Sequence, residues 1–330
     1  MTVLVTGGAG YIGAHVVHAL AARGEDVLVV DDLSTGVVGR VRDVPLVRLD
    51  LAAAGAASAL AGAVAGMEVD AVIHLAAKKR VDESIVDPIR YFDQNIGGLV
   101  AVLEAVRAIG CRDLVFSSSA AVYGPSQDDV VEEGAPTRPM NPYGQTKLAG
   151  EWLAAAAAAA TGALRACSLR YFNVAGAGSP ALADVAAANL VPLVVDALRR
   201  GDRPRVFGTD HPTPDGTCLR DYVHVVDLAE AHLAALDGLR RNAASSVYNV
   251  GTGVGSSVRE VVDAVAARLG ADRGTEDLPR RAGDPSAVVA DASRIAAELG
   301  WRARLGLEEI VDSAVDASDP VSSAAAAAST

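Results

Sequence analysis

The 330-residue chain lacks several features that mark particular classes of protein. It has only three cysteines, Cys111, Cys167 and Cys218, far apart and without the spacing of metal ligands. We therefore expect free thiols in a reducing compartment and no metal site. A basic leader is missing, and no apolar run approaches the roughly 18 residues of a membrane span. We expect a soluble cytoplasmic protein.

Positive charge is also in deficit, since the net charge is -12 at pH 7. This balance argues against nucleic acid and against an anionic membrane surface as partners. Small anionic ligands stay open, because a local arginine cluster can bind a phosphate whatever the total charge. Hydrophobic residues make up 51% of the chain, which is enough for a substantial core, and we find no internal repeat.

The N-terminal stretch has the pattern of a dinucleotide-binding turn. Val3–Thr6 is a short apolar run, and an apolar helical repeat begins at Ile12. Between them, Gly7, Gly10 and Gly13 allow a tight turn, close approach of a pyrophosphate and close packing of the helix on the strand. The helix N-terminus would then face the anion.

A second predicted strand supports this interpretation. Residues 26–30 are followed by Asp31 and Asp32, about 20 residues after the glycines. A carboxylate at this position accepts hydrogen bonds from an adenosine ribose and repels a 2′-phosphate. The sequence therefore favours NAD over NADP, although a solvated acidic turn is a plausible alternative for Asp32.

Strands and helices alternate through the first half of the chain. Further strands are predicted at residues 45–49, 71–77, 114–116 and 164–171, with long helices at 88–108 and 151–160. This alternation predicts an α/β fold with a doubly wound parallel sheet, the Rossmann fold. We expect a dinucleotide-binding domain at 1–175 that takes back parts of 220–255, a smaller α/β substrate lobe at 176–316 and a disordered tail at 317–330.

The stretch from Leu114 to Lys147 has the residues of a proton-transfer site. Asn141 and Pro142 form a helix start, which places Tyr143 and Lys147 four apart on one helical face. A nearby ammonium would lower the pKa of the phenol and make it a general base. Ser119, at the end of a strand, is placed to hydrogen-bond the same alcohol. Without the glycine turn, an ordinary surface helix would be the better interpretation.

Other polar residues are less clear. Asn95 fits either a surface amide or a cofactor contact, and His74 fits a satisfied core residue better than a catalyst. Arg220, with Arg280 and Arg281, is a candidate phosphate ligand, since guanidinium groups match phosphate oxygens. Phe207 fits either a stacking platform for a base or a packed aromatic residue.

The motifs together resemble the extended short-chain dehydrogenase/reductase family, through TGGAGYIG, DDLSTG, SSSAAVYG, NPYGQTK and LRYFNVAGA. More narrowly, AAKKRVDES, DGTCLRDYVHVVDLA, YNVGTGVGSSV and RRAGDPSAVVAD resemble the UDP-glucose 4-epimerase family. The resemblance covers nearly the whole chain. It implies NAD-dependent interconversion of UDP-glucose and UDP-galactose through a 4-keto intermediate, in a homodimer that uses the helices at 88–108 and 147–160.

The resemblance also assigns roles to residues. Tyr143 matches the catalytic base, Lys147 its partner on the nicotinamide ribose, and Ser119 the serine that bonds the sugar O4. Cofactor-binding positions are matched by Gly7, Gly10, Tyr11, Ile12, Gly13, Asp31, Asp32, Leu33, Ser34, Thr35, Gly36, Asp50, Leu51, Leu75, Ala76, Ala77, Lys79, Asn95, Ser117, Tyr143, Lys147 and Phe172. Substrate-binding positions are matched by Lys79, Ser119, Tyr143, Asn173, Asn189, Leu190, Phe207, Arg220, Arg281, Asp284 and Val288.

Three positions depart from the family pattern. Ala121 stands where a threonine is usual, and Ala188 replaces the first asparagine of a common pair. Val288 stands where the family has a large tyrosine or a smaller residue. A small side chain there leaves room for a 2-N-acetyl group, so we hypothesise that UDP-N-acetylglucosamine and its galacto epimer are further substrates.

Three alternatives are weighed against this function. A nucleotide-sugar 4,6-dehydratase needs an acidic pair beside the serine, which Ala120 and Ala121 do not supply. A 4-epimerase for UDP-glucuronate or UDP-arabinose is harder to exclude. A non-catalytic NAD-sensing protein would need none of Ser119, Tyr143 and Lys147, so their joint presence argues against it.

Overall fold

The fold is built on parallel strands that alternate with helices. A computed structural model describes residues 1–125, 129–184, 189–241, 244–271, 273–281 and 284–319. The strands of these residues are β1 (Thr2–Thr6), β2 (Asp26–Asp31), β3 (Leu46–Arg48), β4 (Val69–His74), β5 (Asp113–Ser117), β6 (Val130–Val131), β7 (Arg165–Tyr171), β8 (Asn173–Ala175), β9 (Arg205–Phe207), β10 (Leu219–His224), β11 (Ser246–Val250), β12 (Gly255–Ser257), β13 (Glu276–Leu278) and β14 (Ala287–Ala290).

Helices connect most of these strands. The α-helices of the described residues are α1 (Tyr11–Ala22), α2 (Ala56–Ala63), α3 (Val81–Val86), α4 (Pro88–Phe92), α5 (Gly98–Ile109), α6 (Pro142–Thr161), α7 (Leu190–Arg200), α8 (Val225–Arg240), α9 (Val258–Leu269), α10 (Ser293–Leu299) and α11 (Leu307–Ala317). Their ends follow ordinary capping rules. Helix α9, for example, begins with a capping box between Ser257 and Glu260 and ends at Gly270 in the left-handed region.

Seven strands form one parallel sheet in the order β11-β7-β5-β4-β1-β2-β3. Its central strands are apolar on both faces because helices cover both sides. Val3 and Val5 pack with α1 and α8 on one side. Leu4 packs with α2, α5 and α6 on the other. The doubly wound parallel sheet predicted from the sequence is confirmed.

The order of the sheet decides where ligands bind. Strand β1 is the first strand of the chain and lies in the middle of the sheet. The chain adds β2 and β3 on one side of it and then crosses over to add β4 on the other side. The loops after β1, β2 and β4 therefore meet at one edge of the sheet. In open α/β sheets ligands bind outside the carboxyl ends of the strands, at such a reversal of strand order.

A second lobe is built mainly from the later part of the chain. Five strands form the sheet β12-β10-β14-β6 with β8 paired to β10, and β13 pairs with β9. Helices α7, α9 and α11 share a core of valines and leucines beside it. The later segments α8 and β11 lie on and in the seven-stranded sheet. The domain boundaries that we gave above stay a prediction.

Three predicted elements differ from the structure. The helix expected at 88–108 contains a π-helical turn at Asp93–Gly97 between α4 and α5. The helix expected at 151–160 is the second half of α6, which begins at Pro142. Helix α11 continues through Ala317, where we expected the tail to begin, because Val315 and Ala317 are buried. Residues 320–330 of that expected tail lie outside the described residues.

Candidate active site

The glycine turn after β1 has the geometry that the spacing predicts. Gly7 has a φ of +72°, which lies in the left-handed region. A Cβ on Gly13 would come within 2.1 Å of the carbonyl oxygen of Gly7. Only glycine allows helix α1 to start this close to the strand, so its free N–H groups point at the loop. This is the arrangement that binds a pyrophosphate.

Asp31 lies beside this turn at the end of β2. Its carboxylate accepts hydrogen bonds from the N–H of Ala9 at 3.0 Å and of Leu33 at 2.8 Å. Burial raises the pKa of Asp31, and these two hydrogen bonds oppose that effect. Leu33 has a φ of +61°. Asp31 therefore holds the backbone of both the glycine turn and the loop after β2. The next residue, Asp32, accepts hydrogen bonds from the backbone N–H and the hydroxyl of Ser34.

Ser119, Tyr143 and Lys147 come together beyond the end of β5. The side chain of Ser119 hydrogen-bonds the Tyr143 hydroxyl. The ammonium nitrogen of Lys147 lies 5.9 Å from the centroid of the Tyr143 ring. It donates to the carbonyl oxygen of Ser117 at 2.8 Å. The cap at Asn141, which accepts from the Gly144 N–H at 2.9 Å, fixes the helix start that makes this possible.

The electrostatics of the pair differ from our expectation. We expected Lys147 to lower the pKa of Tyr143, but burial dominates and raises the pKa of Tyr143, while the hydrogen bond from Ser119 opposes it. Burial also lowers the pKa of Lys147 to about 8, and the carboxylate of Glu151 opposes that shift. The reason is that both groups are desolvated and the ammonium is directed to a carbonyl oxygen.

A buried ion pair supports the site from behind. The guanidinium of Arg170 forms a bidentate pair with Glu151, at 2.9 and 2.6 Å. Ser118 donates to the same carboxylate. The pair thus joins α6, β7 and the serine loop after β5. Tyr123, in turn, bonds both Arg170 and Asn249, at 3.0 and 2.6 Å.

Asn95 is buried, and its amide hydrogens are already bonded to protein groups. It lies in the π-helical turn. Its amide accepts from the N–H of Lys78 at 2.7 Å and donates to the carbonyl of Lys78 at 3.1 Å and to Thr146 at 2.9 Å. Thr146 bonds the carbonyl of Tyr143 at 2.7 Å. Asn95 therefore fixes the loop after β4 to the start of α6.

Several other expected cofactor positions line the same edge of the sheet. Tyr11, however, directs its hydroxyl to the carbonyl of Gly176 at 2.5 Å. The hydroxyl of Ser117 is bonded to His232 at 3.0 Å, so its side chain is engaged by the protein. His74 is buried and bonded to Thr6 at 2.7 Å, as a core histidine should be. The remaining positions follow the strand ends: Gly10, Ile12, Thr35, Gly36, Asp50, Leu51, Leu75, Ala76, Ala77, Lys79 and Phe172.

The expected phosphate and base ligands pair with protein groups. Arg220 bonds Asp284 at 2.6 Å. The guanidinium of Arg281 stacks on the ring of Phe207 at 3.9 Å, so the face expected to stack on a base carries a cation. Arg280 pairs with the exposed carboxylate of Asp210 at 2.5 Å.

The remaining substrate positions lie on both sides of the cleft. Asn173 begins β8, and Asn189 caps the start of α7, at Leu190, while donating to Asp184 at 2.8 Å. Val288 lies in β14 opposite Arg220 of β10. It packs against a cluster that includes Val122 and Phe172. Ala121 donates its N–H to Ser119 at 3.2 Å. Ala188 lies outside the described residues.

Sequence analysis missed several residues that organise this site. Asp221 is fully buried and accepts from Thr252, Gly253 and Ala290, which ties β14 to the turn after β11. Glu151 and Arg170 were also missed. Glu151 lies inside an alanine-rich helix and Arg170 inside a buried strand, where charged residues are unusual. This feature of the sequence could have predicted a buried ion pair.

The glycine turn, Asp31 and the Ser119–Tyr143–Lys147 group define a dinucleotide-binding α/β protein with a tyrosine–lysine pair beside the cofactor cleft. The model of the NAD dependent epimerase/dehydratase family matches residues 3–251. The chain belongs to this family, and its cofactor is NAD. No helix among the described residues is long and apolar enough to cross a membrane.

Known relatives are similar over most of the chain. The UDP-glucose 4-epimerase of Azospirillum brasilense is 46% identical over 305 residues, which cover 91% of this chain and 86% of that protein. The crystal structure of the Stenotrophomonas maltophila UDP-glucose 4-epimerase, with bound NAD and formylated UDP-arabinopyranose, has a TM-score of 0.92, 39% identity and full coverage of both chains. The UDP-Glc/GlcNAc 4-epimerase of Campylobacter jejuni has a TM-score of 0.85 and 37% identity, covering 96% and 98%.

Proposed function

We propose that the protein is an NAD-dependent UDP-glucose 4-epimerase that interconverts UDP-glucose and UDP-galactose. The observation that carries this proposal is the geometry of Tyr143 and Lys147, whose ammonium lies 5.9 Å from the Tyr143 ring and 2.8 Å from the carbonyl oxygen of Ser117, in the serine loop that also carries Ser119. This group lies at the same sheet edge as the glycine turn. The relatives named above support the choice of substrate.

The residues of the site divide the proton transfer between them. Tyr143 as phenolate takes the proton of the sugar O4, and Ser119 hydrogen-bonds the same oxygen. NAD⁺, when bound beside this group, would supply the hydride acceptor for C4, and its positive charge would favour the phenolate. The 4-keto sugar then turns and presents its other face, and the proton returns from Tyr143 as C4 regains its hydride. No net oxidation occurs.

One end of the substrate must stay fixed while the sugar turns. We assign the diphosphate to Arg220 and Arg281 and the base to Phe207, which requires Arg281 to leave the Phe207 ring that it covers in this structure. Asn173, Asn189 and the other substrate positions complete this uridine diphosphate site. Charge-assisted bonds at the diphosphate are strong enough to hold the substrate there without rigid contacts to the hexose.

N-acetylated UDP-hexoses are a second class of substrate that we propose. Val288 is the observation that favours it, because this small side chain in β14 lies near the serine loop through its contacts with the cluster of Val122 and Phe172. A valine leaves space that a tyrosine would fill. The similarity to a UDP-Glc/GlcNAc 4-epimerase agrees with this proposal.

We further propose a homodimer that forms through α3 to α6. Large apolar side chains are exposed on these neighbouring helices, including Ile85, Val86, Ile89 and Phe92, and Trp152 on α6 is 65% exposed. Monomeric proteins rarely expose large apolar patches, because burial against a partner removes such a surface from water. Ile89, Phe92 and Trp152 lie on the helices that we expected at the interface, and Ile85 and Val86 lie on the neighbouring α3.

A cytoplasmic location is the last part of the proposal. The three cysteines are buried and unpaired. Free thiols of this kind persist in a reducing compartment, whereas secreted proteins usually pair theirs.

The deciding experiment is to add UDP-galactose to the purified protein without added cofactor and to analyse the product. UDP-glucose is the expected product, formed with the NAD that the protein retains. A dehydrated keto-sugar would indicate a dehydratase, and bound NAD without turnover would indicate a sensor. UDP-glucuronate and UDP-arabinose, tested in parallel, show whether another UDP-sugar is preferred. A dehydrated product, bound NAD without turnover, or a preference for another UDP-sugar would each overturn the proposal.

A further inference from the structure

Lysine is rare in this chain, and every lysine lies near the cofactor cleft. The sequence has three lysines and twenty-six arginines. Lys147 belongs to the catalytic helix, while Lys78 and Lys79 belong to the loop after β4. Nearly all basic positions of this chain are arginine, so we expect lysine where a compact ammonium fits its partners better than a planar guanidinium. Lys78 has no role in the proton transfer described above.

The side chain of Lys78 spans the cleft. Its ammonium nitrogen lies 3.2 Å from the hydroxyl of Ser34, in the loop after β2. Ser34 in turn donates to Asp32 at 2.7 Å. Strands β2 and β4 lie on either side of β1. The contact between Lys78 and Ser34 therefore joins the two loops that flank the glycine turn after β1.

The backbone of Lys78 is held at a fixed place. Asn95 bonds both its N–H and its carbonyl, and Asn95 also bonds Thr146 of the catalytic helix. A π-helical turn is rare and is found mostly at functional sites. Here it carries the asparagine that anchors the loop. A continuous series of hydrogen bonds thus runs from α6, through Lys78, to the loop after β2.

We propose that Lys78 is a cofactor-retaining residue that closes the dinucleotide site over the glycine turn. Its ammonium bonds the loop after β2, next to the glycine turn from which α1 begins. Both groups attract the anionic diphosphate of a dinucleotide. This proposal rests on the proposed function, because an epimerase uses one cofactor molecule repeatedly and gains from not releasing it.

Charge and size make lysine suitable at this position. The total charge of the chain is negative, which repels the anionic diphosphate of a dinucleotide, and Asp32 of the loop after β2 bonds Ser34, the partner of Lys78. An ammonium offsets this repulsion locally. A guanidinium at 78 would keep the charge, but its planar group does not fit a single hydroxyl partner as a compact ammonium does.

The test compares how long the purified protein keeps its cofactor. The wild type and Lys78→Met are dialysed, and the dinucleotide that remains is released by acid and measured per protomer. Removal of one charge-assisted contact predicts about tenfold faster loss from Lys78→Met. Lys78→Arg should fall between the two proteins. Ser34→Ala should accelerate the loss, and the double variant should be no faster than Lys78→Met.

The matched control is Arg80→Met, which removes a positive charge from the same loop. Arg80 pairs with the exposed Asp82 and does not cross the cleft, so this variant should keep NAD as the wild type does. Equal loss from both variants would mean a general charge effect and overturn the proposal. Equal retention by Lys78→Met and wild type would overturn it as well.

Two further measurements separate this proposal from its neighbours. The thermal midpoint of the cofactor-free protein should be the same for Lys78→Met and wild type, because the residue contacts only a loop. Added NAD should restore turnover of Lys78→Met. If the wild type holds NAD but epimerises no sugar, the proposed function fails, while the retention result still stands or falls by itself.

Discussion

The ammonium nitrogen of Lys147 lies 2.8 Å from the carbonyl oxygen of Ser117, which joins the catalytic helix to the last residue of β5. Ser117 in turn bonds His232 of α8 through its hydroxyl. One serine thus connects a helix on each face of the sheet. The position of Tyr143, four residues before Lys147, follows from this connection and from its bond to Ser119.

Replacing Tyr143 by phenylalanine removes the proposed base and little else. We expect Tyr143→Phe to lower kcat by about 10²- to 10⁴-fold, the usual contribution of a general base. The ring still packs and the cofactor cleft is unchanged, so bound NAD should stay at the wild-type level. Product analysis and acid release of NAD measure the two effects. A variant that keeps full turnover would rule out Tyr143 as the base.

The charge of Lys147 predicts a pH dependence. Burial lowers the pKa of Lys147 to about 8, so the positive charge that lies 5.9 Å from the Tyr143 ring and bonds the Ser117 carbonyl is lost as the pH rises through that value. We expect kcat to fall above about pH 8 and to be retained below it. In Lys147→Arg the cation keeps its proton, so its residual activity should lack this limb. The same limb in both proteins would assign it to another group.

Buried neutral histidines predict a loss of stability in acid. His15 donates from Nδ1 to the carbonyl of Tyr11 and accepts from the Gly178 N–H at Nε2, so no site is left for a second proton. Burial lowers the pKa of His15 and of His232 to about 4. The unfolded chain binds these protons near pH 6.5, so stability falls as the pH drops below that value.

The expected slope is about 1.4 kcal/mol per pH unit for each histidine between roughly pH 5 and 6. Urea unfolding at several pH values measures it. His15→Asn keeps a donor for the Tyr11 carbonyl but does not titrate. In this variant the free energy of unfolding should therefore depend less steeply on pH, by the contribution of one histidine. An unchanged slope would show that His15 takes up no proton on unfolding.

Val288 provides a test of substrate size. Val288→Tyr should reduce kcat/KM for UDP-N-acetylglucosamine by at least about tenfold relative to UDP-glucose, because the ring fills the space of the acetyl group. The smaller variant Val288→Ala is the control and should leave the ratio near the wild-type value. If the tyrosine variant leaves the ratio unchanged, Val288 does not determine the choice between the two sugars.

Trp152 provides a test of the proposed dimer. Trp152→Glu places a charge in the apolar face of α6. Loss of an aromatic residue from the centre of an interface costs at least about 2 kcal/mol of binding free energy, which weakens a dimer about thirtyfold. Light scattering over a dilution series measures the shift to monomer. Leu193→Glu is the matched control, since Leu193 is exposed on α7 away from this face. Equal association of both variants and wild type would exclude this interface.

Patterns in the sequence predicted much of the fold for simple reasons. Apolar runs such as Val3–Thr6 identified the strands of a sheet covered on both faces, and Asn141 with Pro142 identified the start of α6. Length was harder to predict. The π-helical turn at Asp93–Gly97 was not predicted, and the bonds that Asn95 makes there join it to Lys78 and Thr146, which are far away along the chain.

The expected effect of Lys147 on Tyr143 was wrong for a similar reason. A spacing of four residues shows that two side chains share a face, but it does not show how much water surrounds them. The structure buries both, and desolvation is then the largest effect on each pKa, raising that of Tyr143 and lowering that of Lys147. The pairing of Arg281 with Phe207 was equally hidden, since it joins residues of two separate segments.

The sequence by itself determined the alternation of strands and helices, the glycine turn and the tyrosine–lysine pair, because each depends on residues within a few positions of one another. Tertiary structure alone decided which loops meet across the cleft, what Asn95 and Lys78 bind and how far burial moves each pKa. These depend on strand order and on exclusion of water, which are properties of the packed chain.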